Sequence, residues 1–242
     1  MSRDLNTEYQ DTENRLYAYD FDYIHRDYMI KALKGSLRPG NALEMGCYHG
    51  AFTKKLLQVF SDVTVLEGSS DLIEIARQNV ANEHVTFILD QFESATLESC
   101  FDNIFLIHTL EHLTEPQSVL RKVREWLAPG GRLFIVVPNA NAASRQIAVG
   151  MGLIDFNAAV TEGERKHGHR CTYSLDTLEH EALRAGFQVM QRGGILFKPM
   201  ANFQFDAALR AGIIDQAFFD GCFAMGMRYP DLTASVYVVC EA

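Results

Sequence analysis

The architecture of this chain is indicated most clearly by residues 41–50, Asn41-Ala42-Leu43-Glu44-Met45-Gly46-Cys47-Tyr48-His49-Gly50. The first half of this stretch is mainly apolar, as in a buried strand, and it ends at a glycine. Gly46 and Gly50 then bracket a tight turn, because glycine adopts backbone conformations that other residues avoid. Residues 51–60 follow with helical patterning. The stretch therefore predicts a strand, a glycine turn and a helix.

The same alternation of strand and helix continues to residue 138. Predicted strands rich in Val, Ile, Leu and Phe cover residues 63–66, 85–89, 104–107 and 133–137, and predicted helices cover 71–80 and 116–127. Such alternation indicates an α/β fold with a doubly wound, mostly parallel sheet. Ligands bind such sheets beyond the carboxyl ends of the strands. The residues at those ends are therefore the first candidates for a functional site.

The remaining segments predict a helical cover on a single domain of residues 1–242. Helical patterning occurs at 24–34, 174–184 and 202–227, further β-rich runs lie at 187–197 and 234–240, and residues 140–170 contain no predicted strand. We expect residues 1–38 to lie over the binding site for a cofactor. We expect residues 140–172 and 200–228 to cover the side where a second reactant enters.

Composition and charge exclude several classes of partner. The chain carries 22 Lys and Arg against 31 Asp and Glu, which gives a formal net charge of −9, and it has no basic stripe. Nucleic-acid binding needs clustered positive charge, so no nucleic-acid partner is expected. The sequence shows no membrane span and no signal peptide, and its five cysteines are scattered. We expect a soluble cytoplasmic protein with reduced thiols and no membrane partner; the pattern specifies no oligomeric state.

The first strand carries a carboxylate, Glu44, near its tip. A carboxylate there repels a pyrophosphate and attracts an ammonium group, which favours an amino-acid-bearing nucleotide over a dinucleotide. The dinucleotide fingerprint G-x-G-x-x-G also fails, since its second and third glycines would fall on Tyr48 and Ala51. A plain strand-to-helix turn with two glycines, Gly46 and Gly50, is the alternative.

The next two strand ends place further polar side chains at the same edge of the sheet. Glu67 follows the second strand, where an acidic residue can accept hydrogen bonds from both hydroxyls of a ribose. Beside Gly68 and Ser69, it is equally consistent with a loop residue or an acid at the start of a helix. The third strand ends in Asp90, Gln91 and Phe92. A polar side chain there can reach an adenine amino group, and the phenyl ring can sandwich the base.

Taken in order, these residues resemble the class I S-adenosylmethionine-dependent methyltransferases, above all the broad group that includes ubiquinone-pathway and small-molecule methyltransferases. The matching set is Glu44-x-Gly46-x-x-x-Gly50, Glu67, Asp90, Leu110-Glu111-His112 and Leu127-Ala128-Pro129-Gly130-Gly131. The resemblance is strong over residues 41–138. It implies S-adenosyl-L-methionine as the cofactor and a Rossmann-like sheet of seven strands whose last strand, at 234–240, runs antiparallel.

The resemblance also implies a role for each strand end. The Gly46–Gly50 loop, including Cys47, would lie against the methionine and ribose portion of the cofactor, with Glu44 near its ammonium group. The other implied contacts are Glu67, Gly68 and Ser69 with the ribose, Asp90, Gln91 and Phe92 with the adenine, and His108 with the methionine end. Tyr48 stands where many members have glycine. The aromatic residues Tyr17, Tyr19, Phe21 and Tyr23 either form a lid over the cofactor or pack as an N-terminal arm.

One motif inside this set permits a different chemistry. His108-Thr109-Leu110-Glu111-His112 matches H-x-x-E-H, a zinc-peptidase motif that needs both histidines on one helical face and the glutamate as general base. Residues 103–107 predict a strand rather than a helix. Spacing alone identifies no third ligand, although His167 and His169 are available. Apart from this zinc-hydrolase alternative we expect no metal.

The acceptor site is expected in the irregular cover. A sulfonium methyl group is already activated, so its transfer mainly needs alignment, and loss of the acceptor's proton needs a general base. The candidate bases are His112, His167, His169 and Tyr173. His169 is preferred because it lies in the cover, although each is equally consistent with a surface or internally bonded residue. Asn139, Asn141 and Arg145 follow the fifth strand directly, either as acceptor ligands or as a helix cap and a surface arginine.

Together these features predict transfer of a methyl group from S-adenosylmethionine to an oxygen or nitrogen of a small-molecule acceptor. A natural product, a sugar or a quinone-like metabolite fits this description. The extent of the cover favours a small enclosed acceptor over a protein or a tRNA. A non-catalytic protein that binds S-adenosylmethionine is the alternative within the same fold.

Overall fold

The computed structural model describes residues 5–6, 19–81, 83–98 and 100–242. Over these residues the chain forms a sheet of seven strands in the order β3-β2-β1-β4-β5-β7-β6. The strands are β1 (Ala42–Met45), β2 (Val63–Glu67), β3 (Val85–Leu89), β4 (Phe101–Ile107), β5 (Leu127–Pro138), β6 (Gln188–Phe197) and β7 (Thr233–Glu241). Strands β1 to β5 are parallel, whereas β7 runs antiparallel to β5 and β6. The predicted mostly parallel sheet with an antiparallel last strand is confirmed.

Helices pack on both faces of this sheet because successive strand residues point to opposite sides. In β5, Leu133 and Ile135 belong to one apolar cluster, and Phe134 and Val136 belong to the other. The helices are α1 (Asp20–Leu33), α2 (Ala51–Leu56), α3 (Ser70–Val80), α4 (Pro116–Trp126), α5 (Ala143–Gly150), α6 (Glu162–Lys166), α7 (Leu175–Arg184), α8 (Asn202–Arg210) and α9 (Gln216–Arg228). Residues of α4 and α7 join the first cluster, and residues of α1, α2, α8 and α9 join the second.

Several boundaries differ from the sequence prediction, and three of the differences follow from particular residues. Helix α1 begins at Asp20, before the predicted start, because the backbone N–H of Tyr19 donates to the Asp22 carboxylate and closes the first turn. Residues 128–131, which the sequence predicts as a turn at the end of the helix 116–127, lie within β5, where Leu127 already pairs with Phe101 before regular pairing resumes. The helical pattern at 202–227 is two helices, separated by a segment in which Gly212 has a φ of 65°.

The strand order places a crevice beside β1. Strand β1 pairs with β2 on one side and with β4 on the other, so successive βα units leave the sheet in opposite directions there. A ligand in a doubly wound sheet binds at the carboxyl ends of such neighbouring strands. None of the helices in the described part of the chain combines the length and the apolar character that crossing a bilayer requires.

Candidate active site

A cavity of about 1020 Å³ opens at the carboxyl ends of β1, β2 and β4. The predicted site residues that line it are Tyr19, Glu44, Gly46, Cys47, Glu67, Gly68, Ser69, Gln91, Phe92, His108, His112, His167 and His169. The predicted site residues outside its lining are Gly50, Asp90, Asn139, Asn141, Arg145 and Tyr173. Phe21 also lines the cavity, whereas Tyr17 lies outside the described residues. The topology thus brings the strand-end residues and the cover histidines into one cavity.

The loop after β1 turns sharply through three left-handed residues. Gly46, Tyr48 and Gly50 have φ values of 83°, 48° and 80°. A Cβ on Gly50 would lie 2.7 Å from the Cγ2 of Val80 in α3, so a glycine is needed there for helix packing. Tyr48 occupies a conformation that costs about 1 kcal/mol for a non-glycine residue. Its ring stacks on His49 with the ring centroids 3.8 Å apart. The role of Gly50 in this structure is therefore to shape the loop.

Glu44 is a buried carboxyl at the tip of β1. Glu44 is 1% exposed, and the hydroxyl of Thr53 donates a hydrogen bond to its Oε2 at 2.6 Å. Burial raises the pKa of Glu44 to about 8, against the smaller opposing effects of the Thr53 hydrogen bond and the Arg26 charge. A cationic ligand beside Glu44 would favour its carboxylate form, because a nearby positive charge lowers the pKa of a carboxyl group.

Glu67 binds the loops on both sides of it. Its Oε2 accepts a hydrogen bond from the backbone N–H of Cys47, and its Oε1 accepts from Gly68 and Ser69, at 2.8 to 3.1 Å. Burial nevertheless raises the pKa of Glu67 above its usual value. Ser69 caps α3 by accepting a hydrogen bond from the N–H of Leu72. The carboxylate lines the cavity and fixes the shape of its wall.

The residues after β3 divide into a structural acid and two cavity residues. Asp90 accepts hydrogen bonds at Oδ1 from the Gln91 N–H at 2.7 Å and from the Ser94 hydroxyl at 2.9 Å. Those bonds hold the turn from which Gln91 and Phe92 line the cavity. Asp90 itself does not line the cavity, so the structure offers no support for its predicted contact with the adenine. Its carboxylate instead orders the local turn.

His108 follows β4, and a hydrogen bond with a residue of β7 fixes its side chain. Its Nε2 lies 2.8 Å from the Ser235 hydroxyl of β7, and its backbone has a φ of 52°. Its ring centroid is 6.0 Å from that of His25. Burial, with the charges of His25 and Arg26 adding to it, lowers the pKa of His108 well below its usual value. His108 is therefore a neutral wall residue.

The zinc-peptidase alternative is wrong in its geometry. Residues Leu110–His112 form a short 3-10 turn after β4, and His108 precedes that turn with a left-handed backbone. The two histidines of the H-x-x-E-H motif therefore do not share one face of an α-helix, as the peptidase chemistry requires. His108 instead pairs with Ser235.

A different trio assembles at the cover side of the cavity: Glu111, His112 and His169, hereafter the carboxylate–histidine cluster. Their ligand atoms lie within 4.8 Å of one another, and the two imidazole rings meet edge to face with centroids 4.6 Å apart. Glu111 is 1% exposed, and burial raises its pKa to about 8. Neither of its carboxylate oxygens has a hydrogen-bond partner in another described residue. Burial also lowers the pKa of His169.

The other predicted acceptor residues hold the cover together instead of lining the cavity. Arg145 forms an ion pair with Glu164 and donates to the backbone carbonyls of Asn157 and Ala159. The Asn139 amide donates to the carbonyls of residues 231 and 233, at 3.0 and 2.9 Å, and its Oδ1 accepts from the N–H of Asn141.

Tyr173 is likewise displaced from its predicted place. It is 5% exposed within the apolar cluster of the α4 face, and burial raises the pKa of its hydroxyl. Its backbone carbonyl accepts from the N–H of Ala140 at 2.7 Å. Its predicted role as a general base is therefore wrong, because the phenol is packed away from the cavity with its proton firmly held.

Sequence reasoning missed several nitrogen-bearing side chains that line the cavity, among them His25, Arg26 and Lys198. His25 and Arg26 come from α1, and each carries a buried nitrogen, Nε2 and Nη1, without a partner among the described residues. Burial lowers the pKa of His25 to about 3. Lys198 follows β6, where burial lowers its pKa to about 8 and its amine lies 5.3 Å from the Phe21 ring centroid. His25 stands four residues after Phe21 on the buried face of α1, which is the signal that could have identified it.

Comparison with known proteins gives one family match and several similar proteins. A family model described as a methyltransferase domain matches residues 15–192. The ubiquinone biosynthesis O-methyltransferase of Xanthomonas axonopodis pv. citri is 24% identical over 179 residues, 72% of this chain and 74% of that protein. The N-methyltransferase NodS from Bradyrhizobium japonicum WM9, solved with S-adenosyl-L-homocysteine, superposes with a TM-score of 0.59 at 17% identity over 97% of both chains. An S-adenosylmethionine-dependent methyltransferase from Mesorhizobium loti gives 0.63 at 16% identity, covering 89% of this chain and 98% of that one.

Proposed function

The chain belongs to the methyltransferase-domain family as a class I S-adenosylmethionine-dependent methyltransferase, and we propose that it methylates an oxygen or nitrogen of a small-molecule acceptor. The observation that carries this proposal is the single cavity shared by the strand ends and the cover. Within the described residues, buried polar atoms without partners occur on His25, Arg26, Glu111 and Asn202, all of which line that cavity. A buried polar group without a partner costs roughly 1–3 kcal/mol, so these atoms are expected to meet bound ligands.

We place the amino-acid end of the cofactor between Glu44 and Arg26. The cofactor carries an ammonium and a carboxylate there, and the two side chains offer a carboxyl and a guanidinium close enough for the Arg26 charge to affect the pKa of Glu44. Both line the cavity. Opposite charges in a desolvated site form strong hydrogen bonds, so this pair orients the cofactor by its ends.

The rest of the cofactor follows the strand edge. Glu67 is proposed to accept from the ribose hydroxyls while it keeps its backbone hydrogen bonds, and Gln91 and Phe92 are proposed to hold the adenine. His108 then faces the methionine end. With the cofactor in that pose, its sulfonium methyl points toward the cover, where the carboxylate–histidine cluster and His167 lie. The protein's task is to align the acceptor atom with that methyl group and to remove its proton.

The acceptor is proposed to be a small molecule such as a natural product, a sugar or a quinone-like metabolite. The cavity volume of about 1020 Å³ must hold both the cofactor and the acceptor, so little room remains for a macromolecular chain. Its walls offer both acidic groups and nitrogen donors, which suits a polar acceptor. The Arg145 contacts hold the segment from 157 to 164 as part of this enclosure.

The first test is calorimetric titration with S-adenosyl-L-homocysteine, with NADH as the control ligand. We expect saturable binding of S-adenosyl-L-homocysteine and no binding of NADH. Because Glu67 also orders the loops, Glu67→Gln is measured beside Glu67→Ala, and both are checked for folding by circular dichroism. We expect a folded Glu67→Gln variant to bind more weakly. Binding of NADH instead, or no binding of either ligand, would contradict the proposed cofactor site.

Arg26→Gln gives a sharper test of the cofactor pose. Loss of a charged hydrogen-bond donor costs roughly 1.5–3 kcal/mol, which corresponds to about a 10- to 150-fold weaker affinity for S-adenosyl-L-homocysteine. Lys31→Gln is the matched control, because Lys31 is a half-exposed cation on the same helix and pairs with Asp220 instead. An unchanged affinity of Arg26→Gln would remove this residue from the cofactor site. Methyl transfer itself is then followed with a panel of small hydroxylated and amino acceptors.

A further inference from the structure

The carboxylate–histidine cluster has a composition that the proposed methyl transfer leaves unexplained. One buried carboxyl and two imidazoles face one another at the cover side of the cavity, and both Glu111 oxygens lack a hydrogen-bond partner in another described residue. A general base needs one titratable group, whereas three such groups at this spacing are typical of a metal site. The pattern of two histidines and one carboxylate with open positions is a common ligand set for transition metals.

The backbone holds the members of the cluster in place although they are far apart in sequence. The N–H of Arg170 donates to the Glu111 carbonyl at 2.9 Å, and the Arg170 Nε donates to the His112 carbonyl at 3.1 Å. The N–H of His169 donates to the Glu164 carbonyl at 3.0 Å. The segment that carries His169 is therefore fastened to the turn after β4, so the site is organised before any ligand arrives.

We propose that Glu111, His112 and His169 bind a divalent transition-metal cation that holds a hydroxyl group of the acceptor. Two ligand atoms at about 2.1 Å from one ion are at most about 4.2 Å apart. The His112 Nε2 and Glu111 Oε1 atoms, 4.0 Å apart, already satisfy that limit. Closing the whole set, which spans up to 4.8 Å, needs an inward shift of less than about 1 Å.

The ligand types select the cation. Magnesium favours oxygen ligands in octahedral geometry, and this cluster offers only one carboxylate among the three side chains. Imidazole nitrogen suits zinc, copper, iron and nickel far better. Three protein ligands also leave open positions for the acceptor and for water. This proposal departs from the sequence-based expectation of no metal, and it uses His169 where the peptidase motif would have used His108.

This inference rests on the proposed function and narrows it to a hydroxyl acceptor. Coordination of the hydroxyl to the cation lowers its pKa, so that its proton leaves to water and an alkoxide or phenolate oxygen stays on the metal. The bound oxygen then attacks the cofactor methyl. The new carbon–oxygen bond forms as the carbon–sulfur bond breaks, and the sulfonium becomes a neutral thioether. No oxidation or reduction takes place.

The test measures metal binding directly in untagged protein stripped with a chelator. Zinc and cobalt(II) are titrated by calorimetry, and cobalt(II) is also followed by its visible absorption, which reports nitrogen and oxygen coordination. We expect one equivalent of cation to bind. The Glu111→Gln and His169→Ala variants should bind it at least about 100-fold more weakly, beyond the 10- to 100-fold loss typical of residues that only support a metal ligand. His180→Ala, which changes an exposed histidine in α7, should bind it like the parent protein.

Titration with S-adenosyl-L-homocysteine separates the two proposals. Unchanged affinity of all variants for this ligand shows that they are folded and that the cofactor site is intact. Zinc and cobalt binding that is absent, or that persists equally in Glu111→Gln and His169→Ala, would overturn the metal site while leaving the proposed methyl transfer in place. Preference for magnesium over zinc would also overturn it. Loss of S-adenosyl-L-homocysteine binding in the parent protein would instead refute the proposed function.

Discussion

The buried carboxyl of Glu44 predicts an unusual dependence of stability on pH in the cofactor-free protein. Its pKa is about 8 in the folded chain, against 4.5 for an exposed glutamate. Between these two values the folded state keeps a proton that the unfolded state has lost. The stability that this proton provides is complete below about pH 4.5 and is lost as the pH rises toward about 8. The free energy of unfolding therefore falls with increasing pH across this window.

The size of the effect follows from the number of protons. One proton held only by the folded state gives a slope of about 1.4 kcal/mol per pH unit, and the full window gives at most about 5 kcal/mol. Other buried acids with raised pKa values, Glu111 among them, add slopes of the same sign. The contribution of Glu44 is therefore the difference between the parent protein and Glu44→Gln, whose amide stays neutral at every pH and can still bond with Thr53.

The assay is urea unfolding of both proteins at pH 5, 6, 7 and 8 without cofactor. We expect the parent to lose about 1.4 kcal/mol per pH unit more than Glu44→Gln over most of this range. Glu125→Gln, at an exposed site on α4, is the control and should follow the parent. Parallel lines for the parent and Glu44→Gln would refute the reasoning, because they would mean that Glu44 has the same protonation in the folded and unfolded states.

Two further predictions concern the loop after β1 and the cover. Gly50→Ala should lose about 1–3 kcal/mol of unfolding free energy, because its φ is 80° and the new Cβ would lie 2.7 Å from Val80. Gly35→Ala, which meets no atom within 4 Å, should be near neutral, and equal losses in the two variants would contradict the packing argument. Arg145→Met should speed proteolysis within residues 151–161 while the urea midpoint of the sheet stays close to the parent's, since its contacts hold that segment. Unchanged cleavage would show that other contacts suffice.

The alternation of apolar strands and helices was sufficient to predict the sheet, but not the ends of all its strands and helices. Local patterns specify β1 to β5 because each of these strands contains a short, mainly apolar run close to turn signals. The start of β5 at Leu127 depends on pairing with Phe101, a contact between distant residues that no local window contains. Likewise, Gly212 interrupts the cover helices in a run whose apolar spacing is otherwise continuous.

The same distinction separates the two halves of the site. Glu44, Glu67 and His108 were predictable because parallel topology alone brings the ends of neighbouring strands to one edge. The cover has no such rule. Arg145 lies in α5, the first helix after β5, yet its guanidinium donates to the carbonyls of Asn157 and Ala159. Lys198 lies 5.3 Å from the Phe21 ring only because β6 and α1 meet across the second face of the sheet.

The buried polar atoms without partners lie around the cavity. Their distribution supports a ligand-binding function more strongly than any sequence motif does. Folding normally pairs such atoms, because each one left unpaired costs roughly 1–3 kcal/mol. In the described chain, His25, Arg26, Glu111 and Asn202 leave buried atoms unpaired, and all four border the same cavity. They come from α1, from the turn after β4 and from α8, which are remote from one another in sequence. Three separate elements thus leave unpaired polar atoms around one cavity, which lowers the stability of the ligand-free protein. Bound ligands best explain this arrangement: we propose a charged cofactor at Arg26 and a cation with its bound hydroxyl at Glu111.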